Sequence, residues 1–222
     1  MSRFIGAIAL SVLAGAATAN AALIDLMPGG ATGLVGTTSA VDTELAGSTS
    51  SMVDVEIPFQ IFGNGGANDG PPPLLYEGIL QNRIVTSDDT GEFHFYYRIR
   101  DTNGSLNGIL GSVETFGFAD WTTRVEYRTD SLGDVGPSRA ERSAGTGDAL
   151  HYLFGNPFFA PEESLFFFAA TEAMNYTMAK TTIYLTTGES VTLDTFAPAI
   201  PSPGSWAIFG VGGLAVVRRR RR

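Results

Sequence analysis

Glu92-Phe93-His94-Phe95-Tyr96-Tyr97-Arg98-Ile99-Arg100 is the stretch that decides the fold class. Phe93, Phe95, Tyr97 and Ile99 fall on one side of a period-2 pattern, and His94, Tyr96, Arg98 and Arg100 on the other. Only an extended strand puts alternate residues on opposite faces, so the pattern predicts a half-buried β-strand. Upstream, Asp88-Asp89-Thr90-Gly91 reads as a turn, which makes residues 75–86 its hairpin partner.

The same period recurs elsewhere. Val53, Val55, Ile57, Phe59 and Ile61 alternate with Asp54, Glu56, Pro58 and Gln60. Pro58 lacks a backbone donor and puts that strand at a sheet edge. Thr123, Val125, Tyr127 and Thr129 alternate with Arg124, Glu126 and Arg128. Further strands are predicted at 149–154, 164–170, 176–186 and 190–196, with Thr187-Gly188 turning the last pair and a polar loop over 131–148. Bulky groups on both faces of many strands imply two sheets packed face to face. The expected fold is all-β, an antiparallel β-sandwich of jelly-roll type. No repeat of fixed period points to a propeller or solenoid.

Composition agrees: 27 Gly, 11 Pro, 15 Phe and 7 Tyr in 222 residues favour strands and tight turns. There is no cysteine, which removes disulfides, thiolate metal sites and cysteine nucleophiles. The net charge of −9 is unevenly spread, because six of the 14 basic residues, Arg3 and Arg218 to Arg222, sit near the ends. The middle holds 8 basic against 23 acidic residues, a net −15. Such a surface repels a phosphate backbone, so nucleic acid is not an expected partner.

The two ends are different in kind. Residues 1–21 carry Arg3, an apolar run from Phe4 to Ala17, and the small-x-small sites Ala17-Thr18-Ala19 and Ala19-Asn20-Ala21. That order is a secretory signal peptide, with cleavage after Ala19 or Ala21. Residues 22–50 read as a linker or weakly ordered leading segment, residues 51–197 as the β-domain, and residues 198–222 as a tail. In the tail, Pro198 to Pro203 is Pro-rich, Gly204 to Val217 is uncharged, and Arg218, Arg219, Arg220, Arg221 and Arg222 close the chain. As a helix the uncharged run would span about 21 Å, short of a hydrocarbon core of about 30 Å. The Arg cluster cannot easily cross and would act as a stop-transfer signal at the inner membrane.

The middle offers little chemistry. His94 and His151 are the only histidines, each inside a strand pattern, and there is no Gly-x-Ser-x-Gly or His-Glu-x-x-His motif. Asp88-Asp89 and Glu162-Glu163 read as solvated turns. Asp101, Asn103 and Ser105 have the spacing that begins a calcium loop, but Leu106 stands where Gly is expected and Ser112 where Glu is. Tyr96, on the polar face, and Trp121, at a strand start, could stack on a glycan. No catalytic residue, cofactor or metal is expected.

The tail resembles a PEP-CTERM sorting signal. The matching residues are Pro201 and Pro203, then Gly204, Ser205 and Trp206, the apolar segment Ala207 to Val217, and the Arg cluster. Ser202 stands where the family usually has Glu, giving Pro-Ser-Pro. The resemblance implies delivery by the secretion machinery, transient anchoring in the inner membrane, and processing by an exosortase-like membrane transpeptidase. It implies a cell-surface or extracellular-matrix location in a bacterium that makes exopolysaccharide. A simple C-terminal membrane anchor is the alternative reading of the tail. For the domain, a non-enzymatic structural or interaction role is expected, with a carbohydrate-binding module in the exopolysaccharide layer as the alternative.

Overall fold

The computed structural model describes residues 22–64, 70–158 and 162–199. Ala19 and Ala21, and the tail from Pro201 to Arg222 with its expected apolar helix, lie outside them. The described residues form thirteen strands. They are β1 (Ile24–Asp25), β2 (Ala31–Gly33), β3 (Gly47–Ser48), β4 (Asp54–Phe62), β5 (Leu74–Ser87), β6 (Phe93–Asp101), β7 (Leu110–Thr115), β8 (Thr123–Tyr127), β9 (Arg139–Arg142), β10 (Leu150–Phe158), β11 (Phe167–Thr171), β12 (Tyr176–Leu185) and β13 (Ser190–Pro198). Single 3-10 turns at Thr43–Leu45 and Ser51–Val53 are the only helical pieces among the described residues. No described helix is long and apolar enough to cross a membrane.

The fold is all-β, in two sheets whose strand pairs run antiparallel. One sheet has the order β1-β8-β11-β6-β5-β3, with β4 also on β5; the other has β13-β12-β7-β10-β9-β2. The predicted hairpin is present, with β5 paired to β6 from Gly78↔Asp101 to Thr86↔Phe93. Strand β4 pairs with β5 alone, so Pro58 does stand on an edge, where its missing donor costs no ladder bond.

Phe95, Tyr97 and Ile99 of β6 join Leu80, Ile84, Val125 and Phe167 from the first sheet. Leu110, Val113, Tyr152 and Ile183 of the second sheet enter the same cluster. Hydroxyls bond across it. The Tyr97 hydroxyl donates to the Phe196 carbonyl at 3.2 Å and accepts from Thr115 Oγ1 at 3.0 Å. Thr181 Oγ1 then donates to Thr115 Oγ1 at 3.0 Å and shares a hydrogen bond with Thr195 at 2.8 Å. The Tyr152 hydroxyl reaches the Phe168 carbonyl at 2.8 Å. These groups are buried, so each bond avoids an unsatisfied polar atom; the Tyr97 and Tyr152 bonds run between the sheets and fix their stagger, while the Thr181 bonds tie neighbouring strands of one sheet.

The face of β6 expected to be polar is covered instead. His94 is 0% exposed, Tyr96 3% and Arg98 7%. Residues 22–50, expected as a linker or weakly ordered leading segment, supply β1, β2 and β3 and lay Leu45 over Tyr96, Phe166, Phe168 and Ala170. They also bring charge: Glu44 pairs with Arg124 at 2.5 Å. Four more arginines of this face are paired, Arg83 with Asp54, Arg98 with Glu163, Arg100 with Glu56 and Arg128 with Asp130. Two of those guanidiniums flank the Phe166 ring, Arg83 at 4.6 Å and Arg98 at 5.6 Å from its centroid.

Candidate ligand cleft

Three segments meet where β1 ends, β8 begins and β9 ends. Residues 25–28 and 120–123, with Arg142, Gly145 and Thr146, line a cleft of about 330 Å³. Leu26, Met27, Pro28 and Trp121 supply apolar wall; Asp25, Asp120, Thr122 and Thr146 supply oxygen atoms. The volume is at the lower end of the range of small-molecule sites.

The local backbone is specified tightly. Asp120 has φ of 63°, the sole non-glycine residue with positive φ among the described residues. Aspartate tolerates this region better than most residues, but holding it there still requires support. That support is the Asp120 N–H bond to the Thr146 carbonyl at 2.8 Å, followed by Trp121 N–H to the Phe118 carbonyl at 3.3 Å. Leu26 N–H donates to the Thr123 carbonyl at 2.9 Å, which ties the first segment to the second.

Arg142 locks all three segments. It is 5% exposed, and its guanidinium donates to four backbone carbonyls, each at 2.8 Å. Nε reaches Gly147, Nη1 reaches Leu26, and Nη2 reaches both Phe118 and Trp121. Burial pulls the guanidinium pKa below its ordinary value, opposed by the charge of Asp120. A buried cation is expensive to place, and here its five donors go largely to loop carbonyls rather than to a carboxylate. The result is a preformed cleft with an indole on one wall and carboxylates on the rim. Such a set can stack on the C–H face of a sugar ring and accept hydrogen bonds from its hydroxyls.

A second cavity of about 370 Å³ lies on the covered face, lined by Leu45, Arg83, Tyr96, Arg128, Leu132 and Phe166 among others. Its arginines are already engaged. Arg128 is bidentate on Asp130, at 2.6 and 2.9 Å, and donates to the Leu45 carbonyl at 2.9 Å. Burial alone would raise the Asp130 pKa, but the bonds from Arg128 and Ser39 outweigh it and hold the carboxyl at about 2. An anion here would have to displace a carboxylate already in place.

Of the residues singled out in the sequence, Trp121 lines the first cleft. Tyr96 is corrected: it stacks on Phe168 with centroids 4.7 Å apart and is too buried to be a platform. His94 lies in β6 of one sheet and His151 in β10 of the other, so they do not form a pair. Neither His94 nitrogen has a partner, and burial, aided by Arg124, lowers its pKa to about 4. The Asp101 turn closes on itself. Asp101 Oδ1 accepts from Asn103 N–H at 2.8 Å, and Asn103 Oδ1 accepts from Ser105 Oγ at 2.6 Å. No group of three or more metal-ligating side chains occurs among the described residues. The sorting-motif residues Pro201, Ser202, Pro203, Gly204 and Trp206 and the Arg cluster fall outside the described residues. Asp120 and Arg142 are not discernible as site residues in the sequence; a lone Arg between Glu141 and Ser143 carries no signal of burial. Comparison with protein-family models, with curated proteins and with solved structures gives no match.

Proposed function

We propose that this chain is an exported cell-surface or extracellular-matrix protein, sorted through its C-terminal tail, whose β-sandwich of jelly-roll type acts by binding and not by catalysis. The sandwich reading is supported by the shared core and by the hydroxyls bonded between the sheets. The observation that carries the export reading is the placement of the ends. The first strand, β1, lies at the edge of one sheet, and the last, β13, at the edge of the other. A signal removed before residue 22 and a tail processed after residue 199 would then leave every central ladder intact.

In this reading Arg218 to Arg222 halt the chain in the inner membrane, and an exosortase-like transpeptidase acts near Pro201-Ser202-Pro203. Each Arg costs roughly 2.5–3.5 kcal/mol at mid-bilayer on insertion scales, so five oppose passage strongly. Intact mass of the protein recovered from the cell surface tests both ends at once. A mass beginning at Met1 would sink the export reading. Retention and trimming of a variant with all five Arg changed to Ser, as in the wild type, would sink the stop-transfer role.

The Trp121 cleft favours a second reading of the domain, as a carbohydrate-binding module in an exopolysaccharide layer. With Asp25 and Asp120 on its rim and a net −15 across the middle of the chain, it suits neutral or amino sugars over uronates. A glycan array with the exported protein and with Trp121→Ala tests it. Identical profiles for the two would place binding elsewhere or nowhere.

A further inference from the structure

All four methionines among the described residues are exposed: Met27 by 70%, Met52 by 81%, Met174 by 62% and Met178 by 55%. Methionine is ordinarily a flexible filler of cores, so its confinement to the surface needs a reason. Three of the four gather around Tyr176, itself 44% exposed. Met52 and Tyr176 line one shallow cavity, with Phe93 and Val53. Met178 follows Tyr176 by two residues on β12, so both project from one face, and Met174 precedes it by two. The patch has a firm base: the Tyr176 ring lies edge-on to Phe196 at 5.2 Å and tilted against Phe93 at 6.3 Å.

Ala199, the last described residue, lies beside this patch. Tyr176 pairs with Pro198 at the end of β13, and Ala199 N–H donates to the Asn175 carbonyl at 3.0 Å. Ala199 is therefore fixed beside the residue that separates Met174 from Tyr176. The uncharged run begins at Gly204, five residues on. At 3.3–3.6 Å per extended residue, Gly204 lies within about 18 Å of that point. Any membrane that takes up the run is held that close to the patch, at high effective concentration.

We propose that Met52, Met174, Tyr176 and Met178 are a lipid-contacting face that seats the domain on the bilayer surface from which the tail emerges. The proposal rests on reading Gly204 to Val217 as a membrane segment. That run is short and holds four glycines, so it is a weak anchor alone. A second, shallow apolar contact is the usual remedy for a weak first one. Flexible thioethers conform to a fluid interface, and tyrosine favours the headgroup level. The nearby ammonium of Lys180 is taken by Asp194 at 2.5 Å, so the contact is apolar and not driven by anionic lipid.

Single-tryptophan forms of the full chain, reconstituted in phosphatidylethanolamine–phosphatidylglycerol vesicles doped with brominated lipid, test this. Trp121→Phe leaves Trp206 as the reporter of the tail. Adding Trp206→Phe and Tyr176→Trp reports the patch, and Leu132→Trp in place of Tyr176→Trp reports an exposed site off it. The expected result is quenching at Trp206, quenching with a blue shift at position 176, and neither at position 132. Introducing Met52→Asp and Met178→Asp should abolish quenching at 176 and leave Trp206 quenched. Quenching at Trp206 without quenching at 176 overturns the proposal and leaves the tail reading standing. No quenching at either site removes both. Emission at 176 that is blue-shifted before lipid is added and insensitive to brominated lipid would mean that protein covers the patch, from the tail or a second copy, and also overturns it.

Discussion

Replacing Arg142 with methionine removes a buried cation while keeping most of its length and bulk. Four carbonyls, of Leu26, Phe118, Trp121 and Gly147, lose donors at 2.8 Å. Hydrogen bonds to a charged group contribute about 1.5–3 kcal/mol each, so a naive sum is about 6–12 kcal/mol. Two effects reduce it. Methionine does not carry the desolvation penalty of the guanidinium, and water entering the open cleft can reach some of the freed carbonyls. The expected loss is about 3–4 kcal/mol, among the larger single-residue effects. For a domain of this size that lowers Tm by about 6–16 °C. Urea unfolding followed in parallel by far-ultraviolet circular dichroism and by tryptophan fluorescence measures it. Arg142→Lys should recover only part, because three donors on a point charge cannot span four carbonyls in a planar fork. A loss under about 1 kcal/mol for Arg142→Met would refute the view that this side chain holds the three segments together.

Gly147 sits at φ of 70°, and an added Cβ would lie 2.4 Å from Arg142 Nε and 2.9 Å from Pro28 Cγ. Gly147→Ala should therefore destabilise by about 1–3 kcal/mol, and less in the Arg142→Met background, which a double-mutant cycle in urea would read as coupling. His94 has a folded pKa of about 4 against an ordinary 6.5, so between those values the unfolded chain binds the extra proton. Its contribution is present above pH 6.5 and lost as pH falls toward 4, by about 3 kcal/mol in all. Burial raises the Glu126 pKa, which gives the opposite sign, so His94→Leu should flatten or invert the loss of stability across that window in pH-dependent urea melts. Lastly, residues 22–199 should melt cooperatively with a β spectrum, whereas 51–199, which lacks β1 to β3 and Leu45, should melt lower or not fold. Equal midpoints for the two fragments would show that the leading segment contributes nothing.

The clean alternation at 53–61 and 92–100 was legible because each strand buries one face against the main core, and both appear as β4 and β6. Strand β7 was not legible. Its buried residues are Leu110, Val113 and Thr115, and both of its ladders slip near Leu110, so a spacing of three interrupts the period of two. Strand β9 reads Arg-Ala-Glu-Arg and resembled loop, since only Ala140 is apolar and the burial of Arg142 depends on carbonyls far away in the chain. Glu126 looked solvent-facing, yet it is 0% exposed because Gly36 and Val35 donate their N–H groups to it at 3.1 and 3.3 Å. Sequence periodicity reports one covered face; it cannot report a second cover supplied by residues some ninety positions away. The cleft escaped for the same reason. Trp121 was visible as an aromatic at a strand start, but the αL backbone at Asp120 and the Arg142 lock exist only once three distant segments meet.

The placement of methionine has a consequence for chemical durability. The chain has no cysteine, and every methionine among the described residues stands at the surface. Peroxide reaching the described residues would thus find sulfur only on the outside, where conversion to the sulfoxide adds a polar oxygen without opening a hole in the packing. The interior, built of Phe, Tyr, Leu, Ile, Val and Ala, offers no thioether to attack. Such lesions would alter the exposed surface around Tyr176 before they disturbed the arrangement of the two sheets.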